Sequence, residues 1–131
     1  MKIVNSPPPD WIYNKAKEKW GVSFDNVVFT VGDTIHAKNE MSEDLIEHEK
    51  THIKQQTEMG VEKWWNRYFE DSRFRYTQEI EAYRNQYKCF CTITKNRSKK
   101  FNFLKKIATD LSGRMYGNVV GLNEAVNLIR K

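Results

Sequence analysis

The sequence predicts an α+β domain, mostly helical, with one small β-hairpin near its start. Three observations carry that expectation. Apolar and ring residues recur at helical spacing over most of the chain. One stretch, Val27 to Lys38, concentrates strand formers around a Gly32-Asp33 turn. The length, 131 residues, suits one hydrophobic core without disulfide support, and two independent cores would need more chain.

Each element has its own signal. Asp10, after Pro7-Pro8-Pro9, reads as the N-cap of a first helix, Trp11 to Trp20, which Gly21 ends. Val27 to Val31 and Thr34 to Lys38 read as the two strands of the hairpin. Ser42 then reads as an N-cap, with Glu43 and Asp44 in the first turn, where the helix dipole favours negative charge. That helix should run to Met59 and close at Gly60. A helix from Val61 to Glu70 carries Trp64, Trp65, Tyr68 and Phe69, with both tryptophans expected in the core. Another runs from Ser72 to Phe90. Cys91 to Ser98 reads as a loop. Helices at Lys99 to Leu111 and Leu122 to Arg130 follow, separated by Gly113, Gly117 and Gly121.

Composition bounds the function classes. Hydrophobic residues at 39% and charged residues at 30% describe a globular chain and argue against bulk disorder. No apolar run is long enough to cross a bilayer. Met1 to Asp10 lacks the charged start and apolar block of a signal peptide, so a cytoplasmic protein is expected. Cys89 and Cys91 sit in C-F-C, too close to join distant segments, which fits a reducing compartment. The net charge is +5, and its excess gathers in Lys95, Arg97, Lys99, Lys100, Lys105 and Lys106. That segment suits either an acidic partner or plain solvation. No nucleic-acid-binding signature accompanies it, so nucleic acid is not expected as a partner. A monomer is expected.

The chemistry is concentrated in His48-Glu49-Lys50-Thr51-His52. Two histidines four apart on a helix share one face, and their imidazoles can converge on one ion. Neutral imidazole is a good zinc ligand. Glu49, beside the first histidine, is placed to act as general base on a water in the open position of such a site. A catalytic zinc needs a third protein ligand. In the helix from Ser72 to Phe90, Tyr76, Ile80, Tyr83, Tyr87 and Phe90 form a ring-rich stripe. Glu79 lies about 60° from the centre of that stripe and Glu81 about 140° away. A carboxylate at a buried stripe needs a partner. A metal would serve Glu79, and so would Arg75 or Arg84.

H-E-x-x-H followed by Glu79-Ile80-Glu81-Ala82-Tyr83 resembles the gluzincin pattern of zinc metallopeptidases, H-E-x-x-H plus E-x-x-A-[DY]. The small size is similar to that of the minigluzincins, peptidase domains reduced to the catalytic core, and of small metallopeptidases from phages and prokaryotes. The resemblance covers roughly Thr34 to Tyr87. It implies one Zn²⁺ per chain held by His48, His52 and Glu79, with a peptide or protein as substrate. Several gluzincins carry Asp where Tyr83 stands; that Asp orients a ligand histidine, so the resemblance leaves this task to the Tyr83 hydroxyl. It also implies that Thr34 to Lys38 is an exposed edge strand that pairs with substrate, although the strand could equally well only close the hairpin.

Further candidates for stabilising a transition state are His36 and Tyr116, besides Tyr83. His36 alternates with Ile35 and Ala37 on its strand, and Tyr116 sits in a glycine-flanked turn. Gln56, one turn past His52, either lines the site or faces water. In Leu122 to Arg130, residues Leu122, Ala125, Val126 and Ile129 form one apolar face. That face either completes the core or lies across the cleft as a latency segment. The rival functional reading is a non-catalytic interaction module that holds an acidic partner through residues 95–106.

Overall fold

We describe residues 1–113 and 120–131 of a computed structural model. Among them the fold is α+β with a helical majority, as expected. The elements are β1 (Lys2–Val4), α1 (Asp10–Trp20), β2 (Phe29–Val31), β3 (Thr34–His36), α2 (Glu43–Met59), α3 (Val61–Glu70), α4 (Ser72–Ile93), α5 (Arg97–Leu111) and α6 (Leu122–Arg130).

The sheet differs from the expected hairpin. Its strand order is β1-β3-β2, with β1 parallel and β2 antiparallel to β3. The hairpin is there, and Gly32 turns it at φ +62°, a left-handed conformation that L side chains rarely adopt. β3 is nevertheless the central strand and not an exposed edge. Lys2, Ile3 and Val4 sit opposite Thr34, Ile35 and His36. β1 has three residues, too few for any periodicity, and its partner lies some thirty residues away, so no local signal marks it.

Helix ends follow backbone bonding more than side-chain caps. At α1 the N-cap is Pro9, whose carbonyl accepts from the Ile12 and Tyr13 amides. Asp10 sits instead in the first turn, where the positive end of the helix dipole favours its charge. Ser42 does stand at the N-cap of α2, but its side chain makes no cap bond. α4 runs three residues beyond Phe90, held where Phe90 stacks on Phe103 of α5 at 4.1 Å. Asn96 accepts from the Lys99 amide and starts α5 two residues early.

Rings build the core. Trp64 stacks on Tyr68 at 4.8 Å, Trp65 packs on Phe69, and Trp20 of α1 stacks on Phe69 at 5.4 Å. α2 and α4 pack along each other, which brings their inward faces together.

α6 completes this core and does not cover the cleft. Ala125 and Ile129 are buried in the main cluster, α6 packs on α4 and α5, and Arg84 Nε donates to the Leu128 carbonyl. The expectation of a latency segment is corrected for α6, because its apolar face turns Ala125 and Ile129 into the core against α4 and α5 and no residue of α6 lines the cavity. Ile129→Ala should therefore destabilise the fold by about 2–5 kcal/mol with no gain of activity. Chemical denaturation together with an activity assay checks this, and unchanged stability would show that α6 is peripheral.

Candidate metal centre

α2 presents His48, Glu49 and His52 inward, and α4 presents Glu79 from the opposite side. His48 Nε2 and His52 Nε2 each lie 3.0 Å from the same oxygen, Glu79 Oε1. One ligand atom from each of the three residues lies within 4.8 Å of the others, and all three residues are buried. Glu81 is exposed, as the helical phase requires. Arg84 and Arg75 point elsewhere with their resolved bonds: Arg84 Nε to Leu128, Arg75 Nη1 to the carbonyls of Tyr68 and Phe69. Among the described residues the ion-pair partners of Glu79 are the two histidines.

The far side of each imidazole decides its tautomer. His48 Nδ1 faces Gln86 Oε1 at 2.9 Å, and His52 Nδ1 faces Gln55 Oε1 at 2.8 Å. These amides cannot turn round without losing bonds. Gln86 Nε2 donates to Asp44, and Gln55 Nε2 donates to Glu81 and to the Gln78 carbonyl. Each Nδ1 therefore carries a hydrogen, and in the neutral ring each Nε2 turns a lone pair toward the carboxylate. Two lone pairs and an anionic oxygen repel one another unless positive charge, a ring proton or a metal ion, sits among them. The donor set, two imidazoles and a carboxylate with outer partners that fix ring orientation, fits a divalent metal ion.

The titration behaviour shows the same preference for positive charge. Burial lowers the His52 pKa, but the Glu79 carboxylate more than reverses that, with smaller contributions from Glu49 and Gln55, and raises it to about 9. Burial raises Glu79, while the neighbouring His52 and His48 hold it well below the usual carboxylate range. Tyr68 donates to Glu79 Oε2 at 2.6 Å, which leaves Oε1 to the histidine side. Burial and then Glu79 push the Tyr68 hydroxyl upward, so it remains a donor.

A cavity of about 810 Å³ opens over these residues. Its floor holds His48, Glu49, His52 and Glu79. One wall comes from Val27 to Thr30, and another from α5 through Lys106, Ile107 and Asp110. Glu49 lines the cavity with its Oε1 bonded to Thr30 Oγ1 at 2.9 Å.

Of the weaker candidates, Tyr83 reaches the site and His36 does not. The Tyr83 ring meets His48 edge-on at 4.6 Å between centroids. The partner of His48 Nδ1 is Gln86, one turn further along α4. His36 Nδ1 lies 2.9 Å from the Ser6 carbonyl, tying the N-terminal segment to β3. Tyr116 lies outside the described residues. Cys89 and Cys91 are free, partly buried, and take no part in the metal group.

Asp44, Gln55, Tyr68 and Gln86 were not foreseen as parts of the site. Gln86 falls two turns after Glu79 on the same face of α4 and Tyr68 lies on another helix, so only packing connects them to the metal group. Gln56 neither lines the cavity nor faces water. Its side chain bonds the Thr30 carbonyl and the Gly32 amide, standing against β2 much as a neighbouring strand would.

Comparisons with known protein families, with curated proteins and with solved structures found no match to this chain. No described helix is long and apolar enough to cross a membrane. The reading of the site therefore rests on its own geometry.

Proposed function

We propose that this chain is a zinc-dependent peptidase that hydrolyses a peptide bond with metal-activated water, Glu49 acting as general base. One observation carries the reading: three buried ligand residues converge beside an unligated carboxylate in an open cavity. A structural zinc site is normally closed by four protein ligands, whereas three with an accessible fourth position is the catalytic pattern. Zinc held there would lower the pKa of a water and polarise a carbonyl.

The side chains divide the remaining work. His48, His52 and Glu79 hold the ion, and Gln86, Gln55 and Tyr68 hold those three in place. Glu49 Oε1 is engaged by Thr30; Oε2 has no hydrogen-bond partner among the described residues and is left to take a proton from the attacking water. The leaving amine can then receive that proton from the same carboxyl group.

An extended peptide would lie along the cavity wall that Val27 to Thr30 form. β3 offers it no edge, because β1 and β2 flank that strand. The outer edge of β2 is already bonded, at the Thr30 carbonyl by Gln56 and Trp65 and at the Gly32 amide by Gln56, so the grip would come from wall side chains and not from strand addition there.

The direct test uses protein purified without chelator on a library of unstructured peptides. Cleavage should be abolished by a chelator and restored by stoichiometric zinc. A zinc-loaded protein inert on every peptide would transfer weight to an interaction module using the exposed basic residues of α5.

A further inference from the structure

Val27-Val28-Phe29-Thr30-Val31 holds a single hydroxyl in an otherwise apolar run. Valine has nearly the same shape and at least equal strand preference, so the strand itself does not call for threonine. Among the described residues the hydroxyl has one partner, Glu49 Oε1 at 2.9 Å, and Thr30 is 3% exposed. Its backbone is equally constrained. The Thr30 carbonyl accepts from Gln56 Nε2 at 2.7 Å and from Trp65 Nε1 at 3.1 Å. Residues from α2 and α3 thus fix Thr30, and Thr30 in turn fixes Glu49.

We propose that Thr30 is the positioning residue for the general base, holding one oxygen of Glu49 so that the other faces the cavity. This inference rests on the peptidase reading and deepens it. A glutamate has three rotatable side-chain bonds, and a base that wanders loses most of its proton-transfer advantage. The carboxylate cannot be steered from the metal side, where Glu79 and the histidines occupy one another. β2 supplies the missing anchor. The same strand forms the cavity wall, so the residue that aims the base also belongs to the surface a peptide would meet.

Nothing else on Glu49 duplicates the contact: among the described residues, Thr30 is its one side-chain partner. Removing the hydroxyl should therefore lower kcat by about 10- to 100-fold, the usual cost of losing an orienting partner. KM and zinc content should not change, because Thr30 is not a ligand.

The experiment compares Thr30→Val, Thr30→Ser and Thr30→Ala in the zinc-loaded protein. Valine keeps the shape without the hydroxyl. Serine and alanine both lose the γ-methyl, and only serine keeps the donor, so this pair separates the hydroxyl from the packing even if valine is poorly tolerated. Serine close to wild type with alanine reduced in kcat alone supports the proposal. Equal losses in serine and alanine, or a loss that appears in KM or in zinc content, would overturn it. Proton NMR adds an arm that needs no activity. The Thr30 hydroxyl proton, buried against a carboxylate, should exchange slowly in wild type and quickly in Glu49→Ala. Equal exchange in the two proteins refutes the contact. A wild type that shows this protection but cleaves no peptide refutes the peptidase reading, and with it the role assigned to Thr30 in positioning a base.

Discussion

Glu49→Gln should retain zinc and lose hydrolysis by roughly 10²- to 10⁴-fold, the usual contribution of a positioned general base. The substitution keeps length and volume. The amide oxygen of glutamine can still accept from Thr30, so the side chain should remain where Glu49 lies. What disappears is the ability to take a proton, since neither atom of the amide is basic near neutral pH. Metal binding should be indifferent, because the ligand group is His48, His52 and Glu79. The measurements are kcat on an unstructured peptide and zinc by elemental analysis on the same preparation. An unchanged kcat removes Glu49 from the mechanism. Loss of zinc along with activity would instead make it a ligand.

The second large effect is on metal content. Wild type should carry about one zinc per chain. His48→Ala, His52→Ala and Glu79→Ala should each lose most of it on dialysis, because two remaining ligands hold the ion poorly. Glu79→Ala has a further consequence. The Tyr68 hydroxyl, buried and bonded to Glu79 Oε2, is left without its acceptor, which costs about 1–3 kcal/mol. A lower melting temperature should therefore accompany the metal loss. Glu81→Ala is the control. Gln55 loses one bond but keeps the one to the Gln78 carbonyl, so His52 stays oriented and zinc stays bound. Equal zinc in all four variants would exclude the site. Retention by Glu79→Ala with loss by Glu81→Ala would mean that the inward face of α4 had been misjudged.

The histidines and Glu79 could be read from the chain because the helix is a strict geometric rule. Residues four apart share a face, and the ring-rich stripe on α4 set the rotation that puts Glu79 inward and Glu81 outward. Glycines and apolar spacing placed most helices within a few residues for the same reason. His36 stayed a weak candidate because alternation on a strand says which side a residue faces but not what lies there; Ser6 does. Tyr83 was a candidate to orient a ligand histidine through its hydroxyl; its ring meets His48 edge-on, and Gln86 holds the His48 nitrogen. Glutamine carries no charge and no motif, so its role is invisible until a partner atom stands beside it.

What the sequence by itself determined is the local part of this protein: the helical register of His48, Glu49 and His52, the inward phase of Glu79, and the hairpin turn at Gly32. Each follows from rules that act over a few residues. Only the tertiary structure decided how these pieces meet. It brought α4 against α2 so that Glu79 reaches both histidines, put β1 on β3 and left β2 at the cavity, buried α6 in the core, and set Thr30 against Glu49 across 19 residues of chain. Such contacts depend on which faces bury most surface together, a property of the whole packed chain that no window of sequence contains.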